Sequence, residues 1–292
     1  MSDLKKNIKE NKWICWVALA CLVVPMFASY FFDDMFSSLS ELFKNPEQLQ
    51  LGWDMADYGF YSSGYSFLCI WGGLIVCGAL LDKFGVRLVG SIFVGMMVLG
   101  AGLVTFAISA GFDPKTSLTV AYVGCMLFGL GSEIAGVSVT RSIAKWFKGR
   151  NMALAMGLQL AIARFGTATA ILVAPMIVKQ KTLGEMYTLA ETNRPALIGL
   201  AVLAAGAVLW AVFVAMDARF DRQTGETDKV ETAEEDKFRI SDIWKVLSNP
   251  RFLMIAVLCV TFYCCVIRFK KFGVSILLPL FGVNLDIATV LL

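Results

Sequence analysis

The chain of 292 residues is 58% hydrophobic, carries a formal net charge of +3 and contains no histidine. Its apolar residues fall in long blocks, at least six of which exceed the roughly 18 residues that mark a membrane-spanning helix, so an ordinary soluble domain is excluded. The modest charge, with its basic residues at the edges of the apolar blocks, leaves no nucleic-acid footprint, and a chain without imidazole has no histidine metal ligand or histidine proton relay.

The polar segment 1–12 holds Lys5, Lys6, Lys9 and Lys12. The apolar run 13–32 is too long for a signal-peptide core and is followed by no small-residue cleavage site. It reads as transmembrane helix 1, ended by Asp33 and Asp34. Helices 2 and 3 are expected over 58–81 and 86–110, and helices 4, 5 and 6 over 118–140, 152–178 and 195–216. Residues 217–250 change character, with nine acids between 217 and 249 and almost no aliphatic block before Ile240. This is a solvated linker, in which FRISDIWKVL can form a short amphipathic helix on the membrane surface. Helix 7 begins near Arg251, is interrupted by Arg268, Lys270 and Lys271, and continues apolar to Phe281; another helix starts before Leu292. The eight cysteines (Cys15, Cys21, Cys69, Cys77, Cys125, Cys259, Cys264, Cys265) all lie inside apolar blocks. They read as small core residues, with no disulfide frame and no metal site.

Basic residues set the orientation. The N-terminus, the 2–3 and 4–5 connections and the linker through Arg251 together carry 17 Lys/Arg, against 5 in the opposite loops. The positive-inside rule then places the N-terminus and the linker in the cytoplasm.

Two charges stand inside apolar helices: Glu133 on helix 4 and Arg164 on helix 5. A charge at the bilayer centre costs from about 2.5 to well over 10 kcal/mol, so such residues face a protein interior or a wet cavity. Glu133 precedes Arg141 by eight residues, about 12 Å of helix, and Arg164 follows Arg150 by fourteen, about 21 Å. Both fall near mid-membrane. Gly157, Ala161 and Ala168 form a small-residue face around Arg164. A cavity with one acid and one base suits a zwitterion, with Glu133 for an ammonium and Arg164 for a carboxylate. An extended dipeptide spans about 7 Å, so the two groups need not touch. The same pair also suits a structural or gating salt bridge. Tyr61 and Tyr65, one turn apart on helix 2, line this cavity or pack with satisfied hydroxyls. Arg268 and Lys271 project into the cavity mouth or snorkel to the outer surface.

Between helices 2 and 3, Gly78, Asp82, Lys83, Gly85 and Arg87 stand in GALLDKFGVR. Gly78 allows close helix approach, Asp82 can cap a neighbouring helix N-terminus, and Gly85 permits a tight turn. Lys83 and Arg87 anchor to the cytoplasmic face. The stretch resembles the G-x-x-x-D-[RK]-x-G-[RK]-[RK] signature of the major facilitator superfamily, with Val86 at one basic position. The resemblance makes this loop a conformational latch that holds two six-helix halves in one access state. FGLGSE on helix 4, then KWFKGR, then GLQLAIAR on helix 5 are similar to the branch of the lysosomal dipeptide uniporter and its bacterial relatives. The Tyr61/Tyr65/Ser66 cluster resembles it too. In that branch a helix 4 glutamate and a helix 5 arginine contact the two ends of a dipeptide, roles that map onto Glu133 and Arg164. The WF-x-x-R connection also occurs in oxalate/formate and monocarboxylate carriers. Glu133 argues against those, because a fixed anion opposes an anionic substrate.

The expected fold is an all-α integral membrane protein. It has a major facilitator type N-terminal bundle of two three-helix repeats over 13–216, a linker over 217–250, and the start of the C-terminal bundle over 251–292. Because the resemblance implies two halves with the site between them, the chain is expected to be a truncated part of a protein of about twelve helices. The expected function is alternating-access transport of dipeptides or other zwitterions, with an organic anion carrier as the alternative. A transport-inactive sensor or scaffold is the rival of another class. No Walker motif or nucleophile constellation is present, so neither enzyme activity nor a cofactor is expected. The expected partners are a small-molecule substrate and the lipid bilayer, with the full-length chain acting as a monomer. Short loops and the lack of a sorting signal point to a bacterial inner membrane.

Overall fold

The computed structural model describes residues 12–149, 151–178, 181, 185–224, 248–282 and 284–291. The polar segment before Lys12 and the surface helix expected for FRISDIWKVL lie outside the described residues. Among the described residues the α-helices are α1 (Lys12–Asp34), α2 (Met55–Leu68), α3 (Leu74–Ser109), α4 (Pro114–Trp146), α5 (Met152–Ile177), α6 (Leu189–Thr224), α7 (Pro250–Phe281) and α8 (Leu285–Leu291). A π-helical turn, Cys69–Gly73, joins α2 to α3, with Trp71 and Gly72 outside helical geometry. α3 is itself broken at Gly85 (φ 79°, ψ 167°). That backbone angle carries no Cβ penalty for glycine. One residue therefore turns the second membrane pass into the third, where the hydropathy pattern alone leaves a short loop.

The passes have two ends, one at Gly85 and one at Asp34. At the Asp34 end Asp54 and Asp57 form a capping box on α2, and the Asp113 carboxylate accepts from the Thr116 N–H at 3.1 Å to cap α4. The segment after α1 is tied to the segment before α6 at the same end: Gln50 N–H donates to the Tyr187 carbonyl at 2.9 Å, and Tyr187 N–H to the Gln48 carbonyl at 2.7 Å.

α1 packs on α5 and α6, α4 on α2 and α3, and α3 on α6. Exchanging the first three passes for the second three turns the α1–α5 pair into the α4–α2 pair, and α3–α4 into α6–α1. This is the relation expected of two three-helix repeats. An odd number of passes per repeat makes the second run inverted. Glycines set the crossings. A Cβ on Gly129 would meet the Tyr65 carbonyl oxygen at 2.0 Å, one on Gly166 the Phe27 carbonyl oxygen at 2.4 Å, and one on Gly100 the Gly124 carbonyl oxygen at 2.5 Å. Lipid tails offer no hydrophobic drive between helices, so close backbone packing has to supply the association.

α6 continues to Thr224, beyond the boundary near Met216 that hydropathy suggests. The added turns are polar. They are held by ion pairs to α3 and α4 and by Phe220, which is buried and stacks 4.6 Å from the Trp146 ring.

Gly129→Val should destabilise the bundle by about 1–3 kcal/mol through overpacking. A lowered Tm in detergent measures it. Gly157→Ala is the control, since a Cβ there meets nothing within 4 Å, and it should leave the Tm unchanged or slightly raised.

Candidate functional site

The mid-membrane charges sit on facing helices. Tyr65 Oη donates to Glu133 Oε1 at 2.9 Å and lies 3.2 Å from Ser132 Oγ, whose hydroxyl also meets Ser29 of α1. Across from them the Arg164 guanidinium stacks 5.3 Å from the Tyr30 ring centre, within cation–π range. Glu133 and Arg164 are exposed side chains, and no ion pair joins them among the described residues. Of the two expected tyrosines, Tyr65 reaches the site. Tyr61 is 7% exposed and packs 5.7 Å from Trp53 and 6.2 Å from Phe36, ring to ring.

A cavity of about 830 Å³ opens beside Arg164. Its walls include Thr167 and Ile171 of α5, Phe269 and Lys270 of α7, and Val290 of α8, but neither Glu133 nor Tyr65. The two bases expected at the mouth are elsewhere. Arg268 is exposed and outside the cavity wall. Lys271 is only 8% exposed: its ammonium lies 2.9 Å from Asp33 Oδ1 and 3.3 Å from Asp34 Oδ1, and donates to the Asp33 carbonyl. Neither snorkelling nor a place in the mouth describes it, because a buried ammonium needs counter-charges and the end of α1 supplies two. Lys270 completes a neutral quartet, 2.8 Å from Asp34 Oδ1. Asp34 is fully buried and also accepts from Thr167 Oγ1 at 2.7 Å. Adjacent acids ending one apolar helix and adjacent bases interrupting another were the sequence signal for this contact.

The Gly85 end carries a second set of charges. Asp82 pairs with Arg141 of α4, and Lys83 lies 5.3 Å over the Phe84 ring. A Cβ on Gly78 would meet nothing within 4 Å, so among the described residues no helix approaches closely there. Arg87 pairs across to α6. It donates to Asp221 and lies 3.4 Å from Asp217, both on the added turns of α6. Lys145 stands 3.0 Å from Asp217 and 2.6 Å from Asp221, and Trp146 Nε1 donates to Asp217 at 2.8 Å. Asp217 and Asp221, spaced four apart, share one helix face, which is how sequence could have found them.

A profile of the Major Facilitator Superfamily matches residues 18–292, from the first turns of α1 through α8. The chain belongs to the Major Facilitator Superfamily. It is similar to the lysosomal dipeptide transporter MFSD1 of Danio rerio, 27% identical over 274 residues that cover 88% of this chain and 53% of the relative. The Homo sapiens protein of that name is 27% identical over 278 residues, 90% of this chain and 54% of the relative. That of Mus musculus is 32% identical over 152 residues, 52% of this chain and 31% of the relative. The chain spans about half the length of the curated relatives it matches in the first two comparisons.

Asp217 is 2% exposed and takes contacts from two bases and an indole. Asp217→Ala strands them, and a broken buried ion pair costs about 3–5 kcal/mol. Folded yield and Tm should both fall. Asp82→Asn loses a pair whose members are 55% and 39% exposed, so its Tm should move by less than about 1 kcal/mol equivalent.

Proposed function

We propose that this chain forms the first half, and the beginning of the second, of a transporter that carries dipeptides or related zwitterions by alternating access. The Gly85 end and the N-terminus then face the cytoplasm, as the distribution of basic residues supports. One observation carries the reading: Glu133 and Arg164 are mid-membrane charges of opposite sign, the first bonded to Tyr65 and the second stacked on Tyr30, and among the described residues they are not paired with each other. Charges left so in a low-dielectric setting call for a ligand with the complementary pair. Glu133, aligned by Tyr65, takes the ammonium. Arg164 takes the carboxylate in bidentate geometry. The stretch from Gly78 to Arg87 acts as the latch, with Asp82 giving up Arg141 when the second half docks. The similarity to dipeptide transporters supports the substrate class, and the short connections fit a bacterial inner membrane.

An organic anion carrier is the second reading. It is favoured by the cavity wall, which includes Arg164 and Lys270 and no acid.

The test is competition of free, N-acetylated and C-amidated dipeptides against a labelled tracer, in the full-length protein. Arg164→Ala should weaken free dipeptides about 10- to 150-fold, the loss of a charge-assisted bond of roughly 1.5–3 kcal/mol, and spare amidated ones. Glu133→Gln should weaken free amines and spare N-acetylated peptides. Equal losses for blocked and free ligands, with activity regained in the double variant, would make the pair a gate. Tight binding of N-acetylated peptides that ignores Glu133→Gln would favour the anion carrier.

A further inference from the structure

Lys270 belongs to two structures at once. On one side its ammonium sits in the quartet, 2.8 and 2.9 Å from the two Asp34 oxygens. On the other it lines the cavity beside Arg164, which Lys271 does not. Thr167 links the two settings. It lies one turn from Arg164 on the same face of α5, about 4.5 Å along the axis, and its hydroxyl donates to the same Asp34 oxygen as Lys270. Lys270, Thr167 and Arg164 thus line one cavity, with both bases on its wall. Asp34 does not depend on Lys270 alone, because Lys271 lies 3.3 Å away and Thr167 stays bonded.

The quartet is also where α7 is attached. Between residues 251 and 269 every α7 residue except Ala256 is exposed, and the buried ones are Lys271, Gly273, Val274 and Ser275. Beside the quartet, Lys44 Nζ donates to the Ser275 carbonyl at 2.9 Å, and Phe272 meets the Tyr58 ring at 5.5 Å. Moving Lys270 off Asp34 removes a main tie between α1 and α7 and leaves Lys271 to hold both acids.

We propose that Lys270 is a second contact for the ligand carboxylate, with Asp34 as its resting counter-ion, so that ligand capture beside Arg164 and loosening of α7 from α1 are one exchange of ion pairs. The inference rests on the zwitterion reading above.

The test measures inhibition constants of a free dipeptide and its C-amide in the full-length protein reconstituted in liposomes. The variants are Lys270→Gln and the neutral pair Asp34→Asn/Lys270→Gln. Both should raise the inhibition constant of the free peptide about 10-fold and leave that of the amide unchanged. The paired variant leaves no stranded buried charge and gives the answer where Lys270→Gln alone fails to fold. Recovery of free-peptide affinity in the pair, or equal shifts for free peptide and amide, would show that Lys270 only neutralises Asp34 and would overturn the inference. Arg164→Ala in the same assay separates the two failures. If it discriminates free from amidated peptide while Lys270→Gln does not, this inference falls alone. If Arg164→Ala does not discriminate either, the zwitterion reading falls with it.

Discussion

Charge that faces lipid or a packed interior cannot be hydrated, and much of the architecture follows from where ionised side chains find partners. At the Gly85 end Arg87 and Lys145 meet Asp217 and Asp221. At the Asp34 end two lysines of α7 meet two aspartates of α1. Among the described residues each cluster sets two bases against two acids, and both join helices far apart in the chain. Breaking such a cluster by removing one member strands the others, which is why each acts as a structural joint. Glu133 and Arg164 are the contrast. They stand at mid-depth with a hydroxyl and a ring for neighbours, and a cavity opens beside Arg164.

The glycine crossings explain how such charges are held in place without being paired. Gly129 is one turn before Glu133 on α4, and it lets the α4 backbone touch α2 at Tyr65, the residue that donates to Glu133. Gly166 is two residues after Arg164 and brings α5 onto α1 at Phe27, one turn from Tyr30. In both places the backbone contact and the side-chain contact lie within a turn of each other. The packing that stabilises the bundle also sets the positions of the two charges.

Much of this was legible in the sequence. Long apolar blocks fix the passes because no other structure satisfies backbone polar groups in lipid. A glycine between Asp82 and Arg87 marks a turn, and a lone glutamate or arginine in an apolar block marks a site. What could not be read depends on contacts between distant segments. Asp33 and Asp34 look like the end of a helix until α7 brings two ammoniums to them. Asp217 looks like the start of a linker until Arg87 and Lys145 give its turn a reason to stay helical. Tyr61 and Tyr65 share a stripe on α2, but Tyr61 is one turn nearer the Asp34 end, where Phe36 and Trp53 fold over it. Four-residue spacing predicts the stripe and not the cover.

The turn at Gly85 has a mechanical consequence. Two passes meet there through one residue, with no slack chain between them, and the next turn carries Arg87 into the α6 cluster. A connection without slack transmits displacement instead of absorbing it. The third pass and the part of the second between the break at Cys69–Gly73 and Gly85 form one corner pinned to α6 at its tip. Tilt imposed on the third pass, or on the second pass between Leu74 and Gly85, therefore arrives at the Gly85 end as a movement of the pinned corner.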